Sequence, residues 1–155
     1  MTSTTASREA MPAHVLLLVT ALYLGAFWAW SGVAKSIAPD AAYEFAVRVV
    51  GGGLPAKAVL VVSVLAETAL GLVLLAGAID RRRGVQVSLG LLLVFSALLA
   101  VAKSKGGGAL ACGCYAFFAT GAATVDSELW INGVHAAILA VVLAVHAYLG
   151  RRAAA

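Results

Sequence analysis

Cys112 and Cys114 are the two cysteines of the chain, and a single glycine separates them. Closing a disulfide between thiols so near in sequence requires a sharp backbone bend, and Gly113 is the residue that bends at least steric cost. The resulting ring is strained. Strain makes a disulfide easier to reduce and reform, which suits exchange chemistry better than a structural staple. The spacing therefore points to a redox-active pair. Two plainer readings stand beside it: inert buried thiols acting as small hydrophobes, and a soft-metal site. For Cu(I) or Hg(II), however, the sequence supplies no third cysteine and no methionine-rich stretch. Lys103 and Lys105 stand just upstream, where an ammonium favours the reactive thiolate. They equally mark the place where a helix leaves lipid.

The elements that must hold this pair follow from composition. Of 155 residues, 63% are hydrophobic and 12% charged, which is too apolar for a water-soluble domain. The expected fold is all-α: one domain, an integral membrane four-helix bundle. Spans are expected at about 14–34, 56–79, 85–102 and 129–149, each long enough to cross a hydrocarbon layer about 30 Å thick. The residues through Met11 read as a flexible tail. A secretory signal is the competing reading of the first run, which is long for a signal core and is followed by further spans. Residues 40–50 mix Tyr43, Phe45, Val47 and Val50 with Asp40, Glu44 and Arg48, the pattern of a short interfacial helix. Gly51 to Gly53 end it, and Pro55 suits the first turn of the next helix. Residues 104–128 form the cysteine-bearing loop between spans three and four. A connection of that length is usually functional, and Tyr115, Phe117 and Phe118 suit a segment folded back over the helix ends.

Polar residues inside the spans narrow the site. Glu67 is the one carboxyl near mid-membrane, and it shares a face with Ser63 and Gly71 at four-residue spacing. At that depth the acid handles a proton, contacts a ligand or bonds a neighbouring helix. Lys35 is a candidate partner, yet it ends the first span near the opposite end of the neighbouring helix, which argues for a different depth. In the last span Asn132, His135, Leu139, Val142 and His146 recur on one stripe, with Asn132 and His135 toward the cysteine end. They read as relay or cofactor contacts, or as packing groups. Ser88, Leu92, Phe95, Leu99 and Lys103 form a stripe on the third span. Ala136, Ala140 and Ala144 form a small-residue ridge that permits close helix approach. Phe27, Trp28 and Trp30 are expected in an aromatic belt at the membrane surface; Phe27 and Trp30, with Tyr115 and His135, are the alternative contacts for a membrane quinone. No resident metal is expected.

Four spans bring both termini to one side. That side carries Arg8, Arg81, Arg82, Arg83, Arg151 and Arg152, against Lys35, Arg48, Lys57, Lys103 and Lys105 on the other. The bias favours cytoplasmic termini and an extracytoplasmic cysteine loop, the compartment in which disulfides persist. The basic clusters abut apolar runs and do not form the stripe of a nucleic-acid surface.

Several segments together resemble the MauE/DoxX-like redox-associated membrane proteins, the MauE branch above all. Ser31-Gly32-Val33-Ala34-Lys35 is similar to the family's Ser/Ala-Gly-x-x-Lys segment, and Ala66-Glu67-Thr68-Ala69-Leu70-Gly71 to its Glu-x-x-x-Gly helix. Leu54-Pro55 precedes the second helix, Cys112-Gly113-Cys114-Tyr115 resembles the Cys-Gly-Cys-aromatic signature, and Asn132 opens the last helix. Ala116 stands where a glycine is common, and Ile131 where a basic residue is frequent. The resemblance implies a multi-pass protein of the bacterial inner membrane. It implies work with a thioredoxin-like extracytoplasmic protein in disulfide formation or maturation of methylamine dehydrogenase. On that reading Cys112 and Cys114 are catalytic, supported by Lys35, Glu67, Lys103, Tyr115, Asn132 and His135. Noncatalytic assembly and soft-metal binding are the alternatives.

Overall fold

The computed structural model describes residues 4–106 and 124–154. Five helices follow in order: α1 (Thr4–Ile37), α2 (Asp40–Val50), α3 (Leu54–Leu75), α4 (Arg81–Ser104) and α5 (Val125–Ala154). Among the described residues, four stretches are long and apolar enough to cross a bilayer: His14–Ile37, Leu54–Leu75, Arg81–Ser104 and Val125–Arg151. The all-α membrane bundle expected from composition is therefore present.

Helix limits depart from the hydropathy pattern where local hydrogen bonds set them. The α3–α4 corner is a Schellman turn, with Ala78 N–H donating to the Val73 carbonyl at 3.1 Å and Gly77 N–H to Leu74 at 3.2 Å. Gly77 has φ of 64°, a left-handed conformation that a Cβ would strain. Asp80 then caps α4 by accepting from Arg83 N–H at 3.1 Å. Ile79, apolar enough to extend the second span, lies in the turn instead. At the start of α5, Thr124 and Ser127 exchange hydrogen bonds, each side chain accepting from the other's N–H at 3.3 and 3.0 Å. This cap places Glu128 in a helix, where a loop through residue 128 was expected. The amino-terminal tail is likewise helical from Thr4.

α1 is the hub. It packs along α3 and reaches α4 and α5; α4 pairs with α5, while α3 and α4 touch only sparingly. The tight α1–α3 seam depends on missing side chains. A Cβ on Gly71 would collide with the backbone of Ala29, and one on Gly32 with Thr68. The ridge expected on α5 has no such role: Ala140 and Ala144 are exposed, because α5 turns the neighbouring stripe of Glu128, Asn132, Leu139 and Val142 inward. The stripe on α4 is buried through Leu99 but not at Lys103.

The aromatic belt also needs correction. Trp30 is exposed, but Phe27 and Trp28 belong to the core. Trp28 stacks near Phe95 with ring centres 6.1 Å apart, and its indole N–H donates to Ser88 Oγ at 3.0 Å. That bond satisfies the polar edge of a large ring and lets it sit in the interior. α2 buries Ala42, Phe45, Ala46 and Val49 against α3 and α4, leaving Asp40, Glu44 and Arg48 exposed.

Candidate functional site

Lys35 sits far inside the bundle, contrary to the depth argument made from its position at the end of the first span. Pro39, which cannot extend the helix ladder, follows the last residue of α1 by two positions. α1 thus stops at Ile37, while α3 and α4 continue beyond it and α2 covers the step. At 1.5 Å per residue, Glu67 lies about 20 Å from the Leu54 end of α3, and Phe95 about 14 Å from the Ser104 end of α4. Lys35 meets both. Its Nζ donates to the two carboxylate oxygens of Glu67 at 2.5 and 2.6 Å and to Ser31 Oγ at 3.2 Å, and lies 5.1 Å from the centre of the Phe95 ring. Ser31 in turn donates to Glu67 Oε2 at 2.7 Å.

All three residues are 3% exposed or less. Ser31 and Lys35 are one turn apart on α1, so a single helix face presents both to Glu67. A lone charge near the middle of a helical span costs about 2.5–3.5 kcal/mol; bidentate pairing with added hydroxyl bonding offsets that cost. Glu128 and Asn132, also buried, share one face of α5, and Glu128 is within Coulombic reach of Lys35. Sequence reasoning gave no role to Glu128 because it was assigned to a loop. Its spacing of four from Asn132 was the available signal.

His135 belongs to a second constellation, two helical turns away. Its Nδ1 is 2.9 Å from the Ile131 carbonyl and its Nε2 is 2.6 Å from the Tyr23 hydroxyl. A carbonyl only accepts, so the neutral ring carries its proton on Nδ1 and accepts from Tyr23 O–H at Nε2. Phe27 stacks on His135 with centres 5.7 Å apart. Tyr23 was not anticipated. The Tyr23→Phe variant removes one interhelical hydrogen bond and is expected to lower stability by about 1 kcal/mol, read as an earlier thermal unfolding midpoint in detergent. An unchanged midpoint would show that the bond contributes nothing.

Cys112, Cys114 and Tyr115 lie outside the described residues. Their flanks are defined. Lys103 forms an exposed ion pair with Asp126 at 2.5 Å that ties the end of α4 to the start of α5. Lys105 donates to the Val49 carbonyl at 2.7 Å and ties α4 to the end of α2. On the side face, the gap between α3 and α4 forms a nearly apolar cleft of about 330 Å³, with Lys35, Phe45 and Phe95 along its lining and Val62 and Val94 exposed beside it.

These features define a multi-pass helical membrane protein built around a buried lysine–glutamate pair. The family model described as methylamine utilisation protein MauE matches residues 13–145, and the chain belongs to that family. Membership makes it a membrane protein of methylamine utilisation. Searches of curated proteins and of solved structures return no match.

Proposed function

We propose that this protein is a thiol–disulfide exchanger of the bacterial inner membrane that serves methylamine dehydrogenase maturation through Cys112 and Cys114. The observation that carries the reading is the Cys-Gly-Cys sequence, in a chain of the MauE family. The thiolate of one cysteine attacks a disulfide of a thioredoxin-like extracytoplasmic protein, or of the substrate protein itself, and one partner sulfur leaves as thiolate. The second cysteine then attacks the mixed disulfide, so the pair becomes oxidised and the partner leaves as a dithiol. The reverse sequence delivers a disulfide to the partner.

Resetting the pair takes a second two-electron partner, because the sequence has no further cysteine. That partner is another thiol protein or a membrane quinone. A quinone arrives through the lipid, and the α3–α4 cleft is an opening of suitable size on the lateral face. Charge supports an orientation with cytoplasmic termini. With Lys35 buried in the core, the six arginines near the termini and the α3–α4 corner face only Arg48, Lys57, Lys103 and Lys105 at the other end.

Single Cys112→Ser and Cys114→Ser variants test the exchange. One of them is expected to accumulate a partner as a mixed disulfide on non-reducing gels, and both are expected to lose growth on methylamine. If neither captures a partner and the double variant grows as wild type, the exchange reading fails.

A further inference from the structure

We propose that the cavity where the α3–α4 corner meets α1 and α5 binds a phosphate group, presented by an anionic phospholipid of the surrounding leaflet. The cavity has a volume of about 510 Å³ and is lined, among the described residues, by His14, Leu17, Asp80, Arg81, Arg82 and His146. It lies at the far end of α4 and α5 from residues 107–123, so the inference stands independently of disulfide exchange. Arg81 and Arg82 are exposed and enter neither of the salt bridges among the described residues. Asp80 is the one acid on the lining, and its Oδ1 accepts from Arg83 N–H. Two arginines against one aspartate leave the cavity positive even with both imidazoles neutral. That excess selects an anion, and the described residues hold no group of three acids, histidines or cysteines that would favour a metal ion instead.

The donors suit phosphate. Arginine side chains present paired N–H groups that match two phosphate oxygens. Asp80 takes the N–H groups of Arg83 and Gly84, whereas those of Arg81 and Arg82, which open α4, have no acceptor within the helix. His146 adds a separate observation: its Nδ1 is buried and has no hydrogen-bond partner among the described residues. Its ring meets His14 edge-on, with centres 6.5 Å apart. A buried polar atom left unpaired is costly, and a phosphate oxygen supplies an acceptor for it once that nitrogen carries the ring proton. Depth argues for a lipid as the source. His14 and Arg81 are the first residues of two spanning stretches, and His146 lies about one and a half turns before the end of another. That is headgroup level, where a basic pocket between spanning helices receives an anionic headgroup.

Native mass spectrometry of the full-length protein in detergent micelles, titrated separately with phosphatidylglycerol, phosphatidylcholine and inorganic phosphate, tests the site. Wild type is expected to take up one phosphatidylglycerol in preference to phosphatidylcholine. Arg81→Gln/Arg82→Gln weakens that binding by roughly thirtyfold, about fivefold for each arginine. Arg83→Gln/Arg151→Gln makes the same change in net charge at exposed residues off the lining and leaves binding close to wild type. His146→Phe, which keeps a ring but no donor, weakens it by about tenfold. Inorganic phosphate bound as tightly as phosphatidylglycerol, with the same dependence on Arg81 and Arg82, would overturn the lipid as source while upholding the phosphate site. Equal losses in the two arginine double variants would reduce the effect to general surface charge and overturn the site, as would a wild type that binds phosphatidylglycerol no better than phosphatidylcholine and does not bind inorganic phosphate. The arginine variants decide the point even if His146→Phe does not fold.

Discussion

Lys35→Met is expected to lower the stability of the bundle by about 3 kcal/mol, and a second substitution, Glu67→Leu, in the same chain is expected to restore most of the loss. The single change strands a carboxylate that accepts from both Nζ and Ser31 at a position with no exposure. It also removes the only cation in the described interior. Replacing both partners by apolar groups of similar volume leaves nothing to desolvate, which is why the double variant recovers. Thermal or denaturant unfolding in one detergent, applied to wild type, both single variants and the double variant, gives the coupling directly. A double variant no better than Lys35→Met would mean that the pair holds α1 to α3 by more than charge compensation.

Gly71→Ala and Gly90→Ala are expected to change stability in opposite directions although each adds one methyl group to a helical glycine. At Gly71 the new carbon meets the Ala29 backbone, which cannot swing aside, so α1 and α3 must separate at a cost of about 2 kcal/mol. At Gly90 the methyl meets nothing within 4 Å, and the gain in helix propensity, up to about 1 kcal/mol, is realised. The separation at Gly71 should also reach the polar core, since Glu67 is one turn away on the same face of α3. Unfolding midpoints of the two variants against wild type decide the matter. A stabilised Gly71→Ala would refute the close seam.

Local patterns account for what could be foreseen. Long apolar runs closed by polar turns specify four spanning helices because the bilayer leaves a backbone few other ways to satisfy its hydrogen bonds. Glu67 was identifiable as inward-facing from its depth alone, and the mixed pattern of residues 40–50 marked a short amphipathic helix. The aromatic belt was not legible correctly. Phe27, Trp28 and Trp30 have the same composition signal, yet Ser88, sixty positions away in the chain, draws Trp28 inward through a hydrogen bond. The alanine ridge of α5 failed for a related reason, since spacing defines a face without saying which face the partner occupies.

From its residues alone, this protein is determined to be a helical membrane protein with one thiol pair, an inward carboxyl and the segments that mark it as MauE-like. The tertiary structure alone decides that Lys35 reaches Glu67, that Glu128 joins their interior and that Tyr23 holds His135. The physical reason is the step at Pro39: by stopping α1 short of its neighbours, it places a residue that sequence position assigns to a helix end in the middle of the bundle. Depth along a single helix follows from counting residues. Depth relative to other helices depends on how far each one is shifted against the next.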